Sequence, residues 1–74
     1  MTAEEIKQLI EQGLEGAKAS VTGSEGKFEA TIVCEQFLNM ATIEQHKMVY
    51  ATVNQQISSG EIHALSLKTS TEEN

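Results

Sequence analysis

The 74-residue sequence predicts an α+β domain of order α-β-β-α-β, with a three-stranded mixed sheet and both helices on one face. Three observations carry this. Two stretches repeat apolar residues at steps of three and four, and each opens on a capping-box pattern. Between them lies a run that alternates apolar and polar residues with a period of two, the mark of a half-buried strand. After the second helical stretch comes a third apolar-rich strand, and a strand-helix-strand crossover makes the second and third strands parallel.

Taken in order, Thr2-Ala3-Glu4-Glu5 places a carboxylate three residues after a hydroxyl cap. Ile6, Leu9, Ile10 and Leu14 then recur at helical spacing, in a helix of about three turns that Gly13 weakens and Gly16 ends. Ala17 to Thr22 reads as a short strand, and Gly23-Ser24-Glu25-Gly26 as the turn of a hairpin. In the next strand Phe28, Ala30, Ile32 and Cys34 alternate with Glu29, Thr31, Val33 and Glu35. A connector follows from Gln36 to Ala41. Thr42 opens the second helix, with Gln45 completing its capping box and Ile43, His46, Tyr50, Val53 and Ile57 forming the apolar stripe that Val49 widens. Ser58-Ser59-Gly60 stops that helix. Glu61 to Thr69 is the third strand, with Ile62 and Ala64 on one face and His63, Leu65 and Leu67 on the other. Apolar residues on both faces suit a strand covered on both sides or one near the sheet centre. Residues 1–71 form one domain and 72–74 a polar tail.

Composition narrows the function classes. A chain this short buries only about 60% of the surface that it exposes when unfolded, which leaves little room for a deep catalytic cleft beside a core. The single cysteine, Cys34, forms no internal disulfide, and no CxxC or HxxxH spacing marks a zinc site. The net charge is −6 and arginine is absent, with Lys7, Lys18, Lys27, Lys47 and Lys68 scattered along the chain. A nucleic-acid binder presents a basic stripe, usually with arginine, and stacking aromatics; here the only aromatics are Phe28, Phe37 and Tyr50. The acidic start carries neither a basic n-region nor an apolar h-region, and no apolar run approaches the roughly 20 residues of a membrane span, so the expectation is a cytoplasmic protein in a reducing compartment.

Three side chains can ligate a metal or act chemically. Cys34 shares its face with Phe28, Ala30 and Ile32, which marks it as a small core hydrophobe; the helix that begins a few residues later keeps a ligand role open. His46 lies on the stripe with Tyr50 and Val53 and reads as a partly buried packing residue making one hydrogen bond. His63 begins the third strand, at the sheet rim, where a structural role competes with that of a metal ligand through a free ring nitrogen. No nucleophile-base-acid set is recognisable, so the chain is read as a non-enzyme. Gly23-Ser24-Glu25-Gly26 matches a GxxG clamp in letters only, because it joins two strands and carries a carboxylate where a phosphate clamp wants positive charge. Glu4, Glu5, Glu11 and Glu15 read as a solvated face.

The segments Phe37-Leu38-Asn39-Met40, His46-Lys47-Met48-Val49-Tyr50 and Ile62-His63-Ala64-Leu65-Ser66-Leu67-Lys68-Thr69 together resemble the BolA-like family. Its pattern has a Phe-x-Gly turn, a helix opening on His-x-x-Val-Tyr, and a third strand that begins His-Ala and ends near Lys-Thr. The resemblance runs from about Thr2 through Thr71. It implies a type II KH-like fold and an adaptor function in iron–sulfur trafficking, iron regulation or the stress response. In that function the protein, a monomer when alone, binds a monothiol glutaredoxin and shares a bridging two-iron two-sulfur cluster with it and with glutathione. The histidine at the start of the third strand, His63 here, is then a cluster ligand, with Phe37, His46 and Tyr50 structural or supporting. Many members add a second His or Cys from the loop between the first two strands. This loop reads Ser24-Glu25-Gly26-Lys27 and offers neither, and Cys34 lies further along, at the end of the second strand. Asn39 stands where the family has its turn glycine and tolerates the left-handed conformation. With no Pro or Trp, the chain has no counterpart of the family's Pro- and Trp-containing C-terminal extension.

A KH-like transcriptional regulator is the second reading, opposed by the charge and by the absence of arginine. A thiol enzyme centred on Cys34 is a third, opposed by the lack of a resolving cysteine.

Overall fold

Thr2 starts the first helix in the way its spacing predicts. In a computed structural model, which describes residues 1–72, α1 spans Ala3–Gly13. The Thr2 hydroxyl accepts the Glu5 amide at 3.2 Å, and the Glu5 carboxylate accepts the Thr2 amide at 2.8 Å. Two otherwise orphaned donors are thereby satisfied. Ile6 and Ile10 form the buried edge of α1, and Leu14, just past its end, is buried with them. Gly13 has a packing reason: a Cβ there would meet the Thr52 side chain at 2.9 Å, so glycine lets the first helix approach the second. Glu11 departs from the solvated face expected of it. Its carboxylate accepts the Ala19 amide at 2.9 Å and ties α1 to the first strand.

β1 (Lys18–Ser24) and β2 (Lys27–Val33) pair antiparallel, from Lys18 opposite Val33 to Ser24 opposite Lys27. The hairpin turn is thus two residues, not four: Gly23 and Ser24 belong to β1. Glu25 and Gly26 have φ of 54° and 82°, the pair of positive values a type I′ turn needs to match the twist of its strands. β3 (Ala64–Ser70) runs parallel to β2, with Lys27 opposite Ala64 and Val33 opposite Ser70. The strand order is β1-β2-β3, so β2 is central and β3 is an edge with one face exposed, which corrects the expectation of a strand covered on both sides or near the sheet centre. Leu65 and Leu67 face the helices half-buried, while Ala64, Ser66, Lys68 and Ser70 face solvent. The strand also begins later than the pattern suggests and takes in Ser70, whose carbonyl accepts the Cys34 amide at 3.0 Å. Of the expected polar tail, residues 73 and 74 lie outside the described residues.

One sheet face holds the core. Phe28, Ala30 and Ile32 of β2 meet Ile6 and Ile10 of α1, together with Phe37, Val49, Val53 and Ile62. The other face is open. After β2 the chain makes a 3-10 turn over Glu35–Phe37, and Asn39 takes φ 65°, the left-handed conformation expected of it.

α2 (Thr42–Thr52) differs from expectation at both ends. Its N-cap is Ala41, with no side-chain cap, so Thr42 and Gln45 form no capping box. Gln45 is used over a longer distance. Its amide donates to the Met40 carbonyl at 2.9 Å and to Phe37 at 3.4 Å, and its oxygen accepts the Thr69 hydroxyl at 2.5 Å. At Val53 the backbone leaves the helix (φ −124°, ψ 19°), and a separate short helix, α3 (Asn54–Ser58), follows. The buried residues here are Val49 and Val53, whereas Ile43 is 64% exposed and Tyr50 and Ile57 are partly exposed. Val49 and Val53 of the predicted stripe are thus buried as expected, and with Gln45, at steps of four, they form the row turned to the sheet, while the stripe's other edge is left toward solvent.

Candidate functional site

His63 is presented by a local irregularity between α3 and β3. Ile62 is buried and its amide donates to the Gln56 carbonyl at 3.1 Å, which pins the entry to the strand. The amides of His63 and Ala64 then both donate to one acceptor, the Gly26 carbonyl, at 2.7 and 3.0 Å. Two successive amides on one carbonyl interrupt the pleat. Strict alternation over 61–69 therefore fails: Ile62 points into the core, His63 and Ala64 are both exposed, and alternation resumes from Leu65. The result is a solvent-facing imidazole at the rim of the sheet, against the hairpin turn.

The ring lies close over Gly26. A Cβ at that position would collide with His63 Cδ2 and come within 3.2 Å of Nε2. The turn residues beside it supply Ser24, Glu25 and Lys27 but no His or Cys. Among the described residues no group of three or more His, Cys, Asp or Glu side chains is placed to hold a metal ion. His63 fits an iron–sulfur centre as a single exposed nitrogen ligand, and such a centre needs its remaining ligands from elsewhere.

The other candidates lie apart from it. Cys34 follows β2 at the end opposite the turn; seven residues at about 3.3 Å each separate it from Lys27 by roughly 23 Å. It is 1% exposed, and its thiol points to the Glu15 carbonyl at 3.6 Å. The structure therefore does not bring Cys34 and His63 together. His46 is half-buried on α2, one turn before Tyr50 and toward the Thr69 end of β3, away from His63. Tyr50 donates its hydroxyl to the Leu65 carbonyl at 3.0 Å and fastens α2 to the edge strand two residues past His63. Phe37 is fully buried beneath the turn before α2. Gly26 is the site residue that the sequence did not reveal. Its only signal was a Glu-Gly pair between two alternating runs, which marks a hairpin turn but not what packs on it.

The fold and this site define a small α+β domain with a mixed sheet and one exposed histidine held where β3 starts. The family model described as BolA-like protein matches residues 6–74. A BolA protein homologue from Coxiella burnetii superposes with a TM-score of 0.87 at 39% identity, over 96% of this chain and 91% of that one. A BolA-like protein of Dictyostelium discoideum is 34% identical over 90% of this chain and 68% of its own length. A protein of the rpoN-murA intergenic region of Acinetobacter guillouiae is 33% identical over 99% of this chain and 88% of its own. The chain belongs to the BolA-like family.

Proposed function

We propose that this chain is a non-enzymatic adaptor, which binds a monothiol glutaredoxin and shares with it and glutathione a bridging two-iron two-sulfur cluster, His63 being its ligand. The observation that carries this reading is the exposure of His63 on a hydrogen-bonded backbone support. The imidazole stands free of the core while its backbone is held by the Gly26 carbonyl and by buried Ile62. Family membership supports the class of function. The acidic surface and the lack of arginine disfavour nucleic acid as the partner. In Rieske-type centres, where histidines replace cysteines on one iron, the substitution raises the reduction potential.

The chain's own contribution is small and defined. One imidazole is offered, and the partner and glutathione supply the other ligands. Because histidine must be unprotonated to ligate, protons compete for that position. A single exposed ligand of this kind suits transfer or sensing more than storage. No helix among the described residues is long and apolar enough to cross a membrane, and we place the adaptor in a reducing cytoplasm, as a monomer when alone.

The test mixes the protein with a monothiol glutaredoxin, glutathione, ferrous iron and sulfide without oxygen and records visible circular dichroism. A spectrum distinct from that of the glutaredoxin homodimer, and lost in His63→Ala, is the expected result. An unchanged heterocomplex spectrum in His63→Ala would rule out the ligand assignment.

A further inference from the structure

Gly26 meets two demands that can be separated. Its φ of 82° is the second left-handed position of the turn, and asparagine adopts that conformation readily. Its neighbour Glu25, at φ 54°, shows that this turn admits a side chain at a left-handed position. Turn geometry alone would thus accept Asn at position 26. The second demand does not, because a Cβ there would collide with His63 Cδ2 and stand 3.0 Å from Cγ, so the ring would have to leave its place. The same residue accepts the amides of both His63 and Ala64. Gly26 therefore holds the backbone of His63 by its carbonyl and leaves room for the ring by having no side chain.

We infer that Gly26 is the positioning residue for His63: it makes the hairpin turn a seat for the imidazole and so determines where the ring nitrogens can meet a ligand. This rests on the cluster-bridging reading above only for its consequence, since the seat itself is a property of the protein alone. Groups that hold a ligating histidine in place are worth about 10- to 100-fold in metal affinity when lost.

The experiment uses four forms: wild type, Gly26→Asn, Gly60→Ala and His63→Ala. Gly60 is a matched control, with φ 85° and nothing within 4 Å of where a Cβ would stand, so its variant carries left-handed strain without a displaced neighbour. Proton NMR of the wild-type protein alone should show cross-relaxation between His63 Hδ2 and the Gly26 α-protons; its absence would overturn the seat without recourse to any variant. In Gly26→Asn the His63 ring resonances should move and that contact should be lost, and in Gly60→Ala both should be kept. Heterocomplex formation with the glutaredoxin, glutathione, ferrous iron and sulfide should fall about tenfold or more in Gly26→Asn and stay at the wild-type level in Gly60→Ala. A displaced ring with undiminished heterocomplex, where His63→Ala abolishes it, would overturn the positioning role. If His63→Ala also leaves the heterocomplex intact, the cluster reading fails instead, and the NMR result alone decides the seat.

Discussion

Replacing Gln45 by Glu separates two accounts of the same residue. Had Thr42 and Gln45 formed a capping box, a carboxylate at position 45 would serve as well as an amide, since Glu is favoured at the third helical position. In the structure Gln45 is the fourth helical residue after the Ala41 cap, and its NH2 group donates to Met40 at 2.9 Å and to Phe37 at 3.4 Å. A carboxylate removes both donors and sets an anion against two carbonyl oxygens. One good partly buried hydrogen bond and one long one come to about 1.5 kcal/mol, and the two carbonyls left without that partner add to the loss. The helix N-terminus returns about 0.5 kcal/mol to the new charge. The net cost is about 1–2 kcal/mol, a sizeable share of the roughly 4–11 kcal/mol expected for a chain of this length. With a urea m-value of about 1 kcal/mol/M, the midpoint should fall by about 1–2 M at pH 7. The companion Thr42→Ala, whose hydroxyl caps nothing, should stay within about 0.5 kcal/mol of wild type. A midpoint that is unchanged or raised in Gln45→Glu, with Thr42→Ala losing about 1 kcal/mol, would restore the capping box and refute this assignment.

Two further perturbations test the ends of the molecule. Cys34 is buried at the end of the sheet away from His63, so iodoacetamide should modify it slowly in the native protein and rapidly in urea; native modification at the rate of a free thiol would show that it is accessible and reopen its role as a ligand. Glu5 should titrate below its ordinary value of 4.5, chiefly because it accepts the Thr2 backbone amide, then through the Thr2 hydroxyl contact and the nearby N-terminal ammonium, with slight desolvation acting the other way. A carboxyl held low in the folded state stabilises fully above its unfolded pKa and loses that contribution as pH falls through the folded value, so the first turn of α1 should fray below about pH 4.5. Carboxyl-carbon NMR of Glu5 reads this directly, and a titration midpoint at or above the ordinary value would contradict the reciprocal cap.

Features that depend on neighbours along the chain were legible in the amino-acid order alone. The Thr2–Glu5 cap, the alternation of Phe28, Ala30, Ile32 and Cys34, and the left-handed Asn39 are set by steric and hydrogen-bonding rules that act within a few residues. The element order followed from these, as did His63 as the residue to watch, through the family motif. Long-range packing settled the rest. Gln45 left its local partner because Thr69, 24 residues away, and the carbonyls before α2 were better ones. The helix turned Val49 and Val53 inward, where the stripe in the sequence had favoured Ile43 and Tyr50 equally, because only the sheet surface decides which row is buried. β3 became an edge, with Leu65 and Leu67 toward the core and Ser66, Lys68 and Ser70 toward solvent, since strand order is a property of the whole sheet. The seat of His63 on Gly26 joins positions 37 residues apart, a contact between a ring and a missing side chain, and nothing local to either residue encodes that distance.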